Sequence, residues 1–236
     1  MDIRAISLDL DDTLWPIAPI IDRIESSVDQ WLQLHCPEVA SAWPIPAMRA
    51  LRDKVAREHP ELAHDFATQR RLTLRRAFAQ FDLGEDWVER TYEIYVRVRN
   101  EVDCYADTAP ALAAMAAQVP LISISNGTAD LALIGLHEHF RFSVSAGEIG
   151  VAKPDAGIFA HACERLGVAP QHVLHVGDDP MADVAGARAA GMRTAWINRN
   201  AAPWTCTQAP DLEVSDLDVL ANWLLQHKNT TRIQPT

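Results

Sequence analysis

The spacing of apolar positions changes twice along the chain. From Ile3 to Leu8 the apolar and β-branched character suits a buried strand, and an acidic cluster, Asp9, Asp11 and Asp12, follows at its carboxyl end. From about Pro19 to Asn100 the pattern is helical and no strand signal interrupts it. It predicts helices over Pro19–His35, Pro46–His59, Asp65–Phe81 and Asp86–Asn100, with breaks near CPEVASAWPIP, HPELAH and DLGED. After Cys104 helices and short strands alternate. Helices are predicted over Thr108–Gln118, Thr128–Leu136, Asp155–Leu166 and Met181–Ala190, with strands over Leu121–Ser125, Phe142–Ser145, Val173–Val176 and Thr194–Ile197. Gly167 and Gly191 supply helix stops. A last strand near Leu212–Val214 and a helix over Asp216–His227 complete the series, and the tail from about residue 228 is expected to fray.

Helix–strand alternation of this kind implies an α/β fold, a doubly wound parallel sheet with helices on its faces. One strand precedes the long helical segment and the others follow it, so the helices form an insert. The expected division is a discontinuous core, 1–14 and 104–236, and a helical cap, 15–103.

Composition narrows the partners. A chain of 236 residues that is 48% hydrophobic buries a sizeable core, and a formal net charge of -11 repels phosphate backbones, so nucleic acid is not an expected partner. A small phosphorylated metabolite remains compatible. Cys36, Cys104, Cys163 and Cys206 are scattered without metal-ligand spacing, which suits a reduced, cytoplasmic protein. With no basic leader and no run of eighteen apolar residues, neither secretion nor membrane insertion is expected. Oligomeric state is not legible.

Open α/β sheets bind their ligands at the carboxyl ends of the strands. There the sequence places Asp9 and Asp11 after the first strand, Ser125, Asn126 and Gly127 after LISI, Lys153 in VAKPD, and Asp178 and Asp179 after VLHVG. Each has an ordinary reading: a turn, a surface lysine, a helix cap. Together they supply a nucleophile, a proton donor, a phosphate clamp and a cation site, the requirements for phosphoryl transfer to a carboxylate. Crowded carboxylates repel phosphate and resist ionising together, and a magnesium ion held by hard oxygen ligands reverses that.

The segments DLDDTLWP, ISNGT, VAKPD and HVGDDPMADVAGARAAGM together resemble, in order and spacing, the four motifs of the haloacid dehalogenase-like hydrolases, and the insert resembles the α-helical caps of their phosphatase and dehalogenase branch. The resemblance implies a Rossmann-like core and a magnesium-dependent hydrolase that passes through an aspartyl-phosphate. It makes Asp9 the nucleophile and Asp11 the general acid–base, with Thr13 supporting their loop. Ser125 and Lys153 are to hold the phosphoryl oxygens, helped by main-chain N–H groups around Leu10, Asn126 and Gly127. Asp9, the carbonyl of Asp11 and Asp178 are to bind magnesium, with Asp179 and Asp183 in support. Wording around the motifs, and HPELAHDF in the cap, is also similar to bacterial phosphatases of flavin mononucleotide and of the ribityl-pyrimidine phosphate of riboflavin synthesis.

Several alternatives remain. A dehalogenase has no leaving alcohol and gives Asp11 no task, whereas a phosphomutase uses the same core. A phospho-receiver domain shares the acidic cluster but lacks the insert, and an idle homologue is expected to have lost part of the set. Substrate choice is assigned to the cap, where His64, Arg71 and Arg75 fall at helical spacing, and to Trp15, a candidate for stacking on a flat substrate. His137 and His139 lack the spacing of a helical zinc pair, and His172 and His175 have no evident catalytic partner.

Overall fold

The computed structural model describes residues 1–232. The chain divides into two units, one of Met1–Pro16, Asp103–Gly127 and Gly135 onward, the other of Ile17–Val102 with Thr128–Ile134.

The first unit is a Rossmann-like α/β domain. Its strands are β1 (Ala5–Leu8), β2 (Leu121–Ser125), β3 (Ser143–Ser145), β4 (Val173–Gly177), β5 (Arg193–Ile197) and β6 (Leu212–Val214). They form one six-stranded parallel sheet in the order β3-β2-β1-β4-β5-β6. Every residue of β1, β2 and β4 is buried, as expected for central strands of a parallel sheet covered by helices. This strand order reverses direction beside β1, and the crevice between β1 and β4 is where such sheets accept ligands.

Against one side of the sheet lies α9 (Ala156–Leu166), whose Ile158, Phe159, Ala162 and Cys163 pack with Ala5, Ile122, Ile124 and Val173. Burial without a polar partner pushes the Cys163 thiol up to about 11, the behaviour of an inert core cysteine. Elsewhere α6 (Thr108–Ala116) packs on the last helix, α11 (Leu217–Arg232). That helix continues past the expected end at His227, and residues 233–236, the end of the expected tail, lie outside the described residues.

Asp107 ties three distant segments of this unit. Its carboxylate accepts from both Nη atoms of Arg199, at 3.1 and 2.9 Å, and from the main-chain N–H of Leu217 at 2.7 Å, while Arg199 also donates to the carbonyl of Thr13 at 2.9 Å. Burial pushes this carboxyl up, but Arg199 and the N–H of Leu217 more than offset it and hold the group below the usual aspartate range. A depressed folded value contributes stability that is complete above the unfolded pKa of about 4 and is lost as pH falls through the folded value. Asp107→Ala is therefore expected to cost about 3 kcal/mol at pH 7. Urea melts of both proteins at pH 7 and again near pH 3 check this, the gap narrowing at the lower pH.

The second unit is helical: α1 (Ala18–His35), α2 (Pro37–Ala42), α3 (Ile45–Glu58), α4 (Phe66–Phe78), α5 (Glu85–Arg99) and the short α7 (Leu131–Ile134). α1 and α4 each pack on α5, and α3 packs on α4. Four predicted elements differ from the structure. The expected break at CPEVASA contains α2, because Pro37 falls where a missing N–H costs nothing, at the helix start. The helix predicted over Thr128–Leu136 is only the single turn α7, and the strand predicted over Phe142–Ser145 opens one residue later as β3, followed by the turn α8 (Ala146–Ile149). The helix predicted over Met181–Ala190 begins as a π-turn, Pro180–Ala185, before α10 (Gly186–Ala189). No described helix is long and apolar enough to cross a membrane.

Candidate active site

Three neighbouring strand ends build the site. Asp9 is the first residue past β1, and its N–H extends the ladder to the carbonyl of Val176 at 2.8 Å. The chain then turns tightly: Leu14 N–H bonds to Leu10 O, Asp12 N–H bonds to Trp15 O, and Asp12 takes φ +58°, a left-handed conformation that aspartate tolerates better than most residues. Within the turn Trp15 Nε1 donates to Asp11 Oδ1 at 2.8 Å. Thr13, fully buried, donates to Asp178 Oδ1 at 3.4 Å, joining this loop to the end of β4. Asp178 in turn is held by Trp196 of β5, whose Nε1 donates to its carbonyl at 2.7 Å.

Lys153 enters from the segment between α8 and α9. The Asn126 amide grips its main chain twice, accepting from Lys153 N at 2.8 Å and donating to Lys153 O at 2.9 Å. The ammonium, on a residue only 6% exposed, lies between two carboxylates, 2.5 Å from Asp9 Oδ1 and 2.6 Å from Asp183 Oδ1. Asp183 Oδ2 accepts the N–H of Asp179 at 3.0 Å, and His175 Nε2 lies 3.1 Å from Asp183 Oδ1. The exposed Asp179 carboxylate caps the following turn through the N–H groups of Met181 and Ala182. Ser125 closes β2, and its Oγ accepts from the N–H of Gly127 at 3.0 Å.

Electrostatics in this cluster is lopsided. One ammonium faces Asp9, Asp178 and Asp183, which offer oxygens all within 4.8 Å of one another. Burial disfavours the Lys153 charge, but Asp183 and Asp9 hold its pKa above the lysine range. Burial also opposes charge on Asp183, yet Lys153 and His175 keep its carboxyl below the aspartate range. At Asp9 burial wins over Lys153 and pushes the carboxyl up. Asp178, half-buried and facing Asp183 and Asp12, is raised to about 7. Hard, crowded oxygens with too little positive charge are a donor set that a small divalent cation fits. Asp183 already receives three hydrogen bonds, which leaves Asp9 and Asp178 as the carboxylates for such an ion.

Gly177 allows this packing. A Cβ there would stand 2.2 Å from Asp183 Cγ, inside van der Waals contact. Gly177→Ala is expected to cost about 1–3 kcal/mol through forced displacement of Asp183. A lowered urea midpoint with an unchanged m-value measures the effect.

Four specificity assignments need correction. Trp15 is fully buried and spends its indole N–H on Asp11, so it presents no face for stacking. His64 precedes α4, which starts at Phe66, and therefore does not share that helix face. Arg71 makes a two-pronged pair with Glu89, at 2.7 and 3.1 Å, and Arg75 pairs with Glu85, because α4 and α5 align these side chains. Sequence spacing brought the arginines together but could not show the acids facing them. Arg70, beside Arg71 on α4, lies over the Tyr95 ring at 4.8 Å on the wall of a cavity of about 60 Å³ inside the helical unit. His175 was also missed: a single histidine in an apolar strand carries no local signal of a partner.

Residues 3–191 match the family model described as haloacid dehalogenase-like hydrolase. Among curated proteins, the 5-amino-6-(5-phospho-D-ribitylamino)uracil phosphatase YigB of Escherichia coli is 31% identical, covering 93% of this chain and 95% of that protein. The phosphoglycolate phosphatase of Chromobacterium violaceum is 30% identical over 80% of this chain and 82% of its own. Among solved structures, a 2-haloacid dehalogenase from Pseudomonas syringae pv. tomato superimposes with a TM-score of 0.89 at 31% identity, covering 96% of this chain and 99% of that one. With both the family model and a nearly full-length relative in agreement, the chain belongs to the haloacid dehalogenase-like hydrolases.

Proposed function

We propose that the protein is a magnesium-dependent phosphatase of a small phosphorylated metabolite, acting through an aspartyl-phosphate on Asp9. The observation that carries this reading is the Lys153 ammonium, buried and shared between Asp9 and Asp183 beside the Ser125 turn. A phosphoryl group brought to Asp9 there meets a fixed cation and a hydroxyl.

A carboxylate oxygen of Asp9 attacks phosphorus as the bond to the leaving oxygen breaks, and Asp11 gives that oxygen its proton. Asp11, now a carboxylate, takes a proton from the water that attacks the aspartyl-phosphate, releasing phosphate and restoring Asp9. The Trp15 N–H orients Asp11 for both transfers. Lys153 and Ser125 hold the phosphoryl oxygens, and Asn126 fixes Lys153 through its main chain. Magnesium, which Asp9, the carbonyl of Asp11 and Asp178 would hold, supplies positive charge that lets an anion approach. Asp183 and Asp179 support the set through their hydrogen bonds.

For substrate, the likeness to the ribitylaminouracil phosphatase supports a ribityl-pyrimidine phosphate, and flavin mononucleotide stands beside it on the sequence resemblance alone. The dehalogenase neighbour favours a second reading, carbon–halogen cleavage by Asp9. Asp11, held in place by Trp15, weighs against it because that reaction releases halide and needs no acid.

Phosphate release from an aryl phosphate, from flavin mononucleotide, from the ribityl-pyrimidine phosphate and from sugar phosphates, with magnesium and with chelator, tests the proposal beside halide release from 2-chloropropionate. Metal-dependent phosphate release is expected. Halide release without it reverses the assignment, and no preference for the flavin and pyrimidine compounds removes the substrate.

A further inference from the structure

His175 takes no part in the steps above, yet it is built into their support. It lies in the middle of β4, 1% exposed, directly opposite Ser7 in the β1–β4 register. Its ring meets Phe159 edge-on with centroids 4.9 Å apart, so packing alone would accept phenylalanine at this position. Both ring nitrogens are nevertheless engaged. Nδ1 is 2.9 Å from Ser7 Oγ, and Nε2 is 3.1 Å from Asp183 Oδ1. A neutral ring with its proton on Nε2 satisfies both partners: the Asp183 carboxylate accepts, and the Ser7 hydroxyl donates to Nδ1.

The remaining residues of these two strands are apolar or glycine, so a serine and a histidine buried face to face need an explanation. Beyond His175 the line of contacts continues through Asp183 Oδ1 to Lys153 Nζ at 2.6 Å and on to Asp9 Oδ1 at 2.5 Å. Asp183 Oδ1 thus accepts from two donors, the Lys153 ammonium and the His175 ring. Without His175 the carboxylate keeps only Lys153 and the N–H of Asp179 as partners, so its orientation, and with it the distance of the ammonium from Asp9, is less tightly held.

We propose that His175, backed by Ser7, is a positioning residue for phosphoryl transfer: it fixes the Asp183 carboxylate that aims Lys153 at the nucleophile and the phosphoryl oxygens. The inference rests on the phosphatase reading above. Its consequence is a dependence of turnover on two residues that touch no substrate.

Steady-state kinetics with an aryl phosphate at saturating magnesium, on full-length protein checked for folding by near-ultraviolet circular dichroism, tests it. His175→Phe is expected to lower kcat about tenfold or more, and His175→Gln, which keeps a donor for Asp183, to recover most of the loss. Ser7→Ala is expected to lower kcat in the wild-type background and to have no further effect in His175→Phe, since Ser7 acts only through the ring. A purely structural role would lower melting temperature in every variant without that dependence. Folded His175→Phe with kcat within twofold of wild type, a glutamine variant no better than phenylalanine, or equal Ser7→Ala losses in both backgrounds overturns the proposal. Should the phenylalanine variant not fold, Ser7→Ala with unchanged kcat does the same. Nitrogen-15 NMR of the His175 ring separates the two levels. An active wild type with the proton on Nδ1 sinks the positioning role alone, whereas the expected Nε2 tautomer in a wild type that releases no phosphate sinks the phosphatase reading and this inference with it.

Discussion

Replacing Asp9 with asparagine is expected to lower phosphate release from an aryl phosphate by about 10⁴-fold or more, in a protein that remains folded. An amide oxygen is a poor nucleophile and cannot form the acyl phosphate, yet it still accepts the Lys153 hydrogen bond now made to Asp9 Oδ1. The substitution also removes a charge that burial already disfavours, so stability should hold or rise slightly. Steady-state rates and thermal melts of the purified variant measure both effects. A rate within a few-fold of wild type would require some other attacking group.

Asp11→Asn should cost about 10²–10⁴-fold in kcat, the usual contribution of a general acid–base. Trp15 Nε1 can donate to the asparagine carbonyl as it does to Asp11 Oδ1, so the loop keeps its shape and the loss is chemical. Two further results follow from its double duty. The deficit in kcat/KM, which reads the first transfer alone, should be smaller for an aryl phosphate, whose leaving group needs little protonation, than for an alkyl phosphate. Rapid-mixing experiments should show one equivalent of released phenol ahead of phosphate, because hydrolysis of the aspartyl-phosphate lacks its base. An equal deficit with both kinds of ester would deny Asp11 the acid role.

Most of the sheet was legible because buried parallel strands are short apolar runs between helical stretches, and VLHVG and LISIS carry that signal undiluted. The positions of Asp9, Ser125 and Asp178 at strand ends follow from those same runs. Contacts between elements were less accessible. Arg71 and Arg75 looked available since nothing local shows that α5 sets Glu89 and Glu85 opposite them. Trp15 looked like a stacking surface because its indole N–H finds Asp11 only when the chain doubles back after Leu10. The helix at Met181 starts as a π-turn, where Asp179 and Asp183 take up backbone N–H groups, a distortion that periodicity does not carry and that is common beside functional sites.

The support of Thr13 by Arg199, and of Arg199 by Asp107 and the N–H of Leu217, also orders events in time. During translation β1 emerges first, but its neighbours β2 and β4 begin at Leu121 and Val173. A ribosome adding about 5–20 residues each second keeps the nascent nucleophile loop waiting for many seconds. Competence therefore arrives late in synthesis, and a prematurely terminated chain that still carries all four motifs would emerge with its nucleophile loop unbraced.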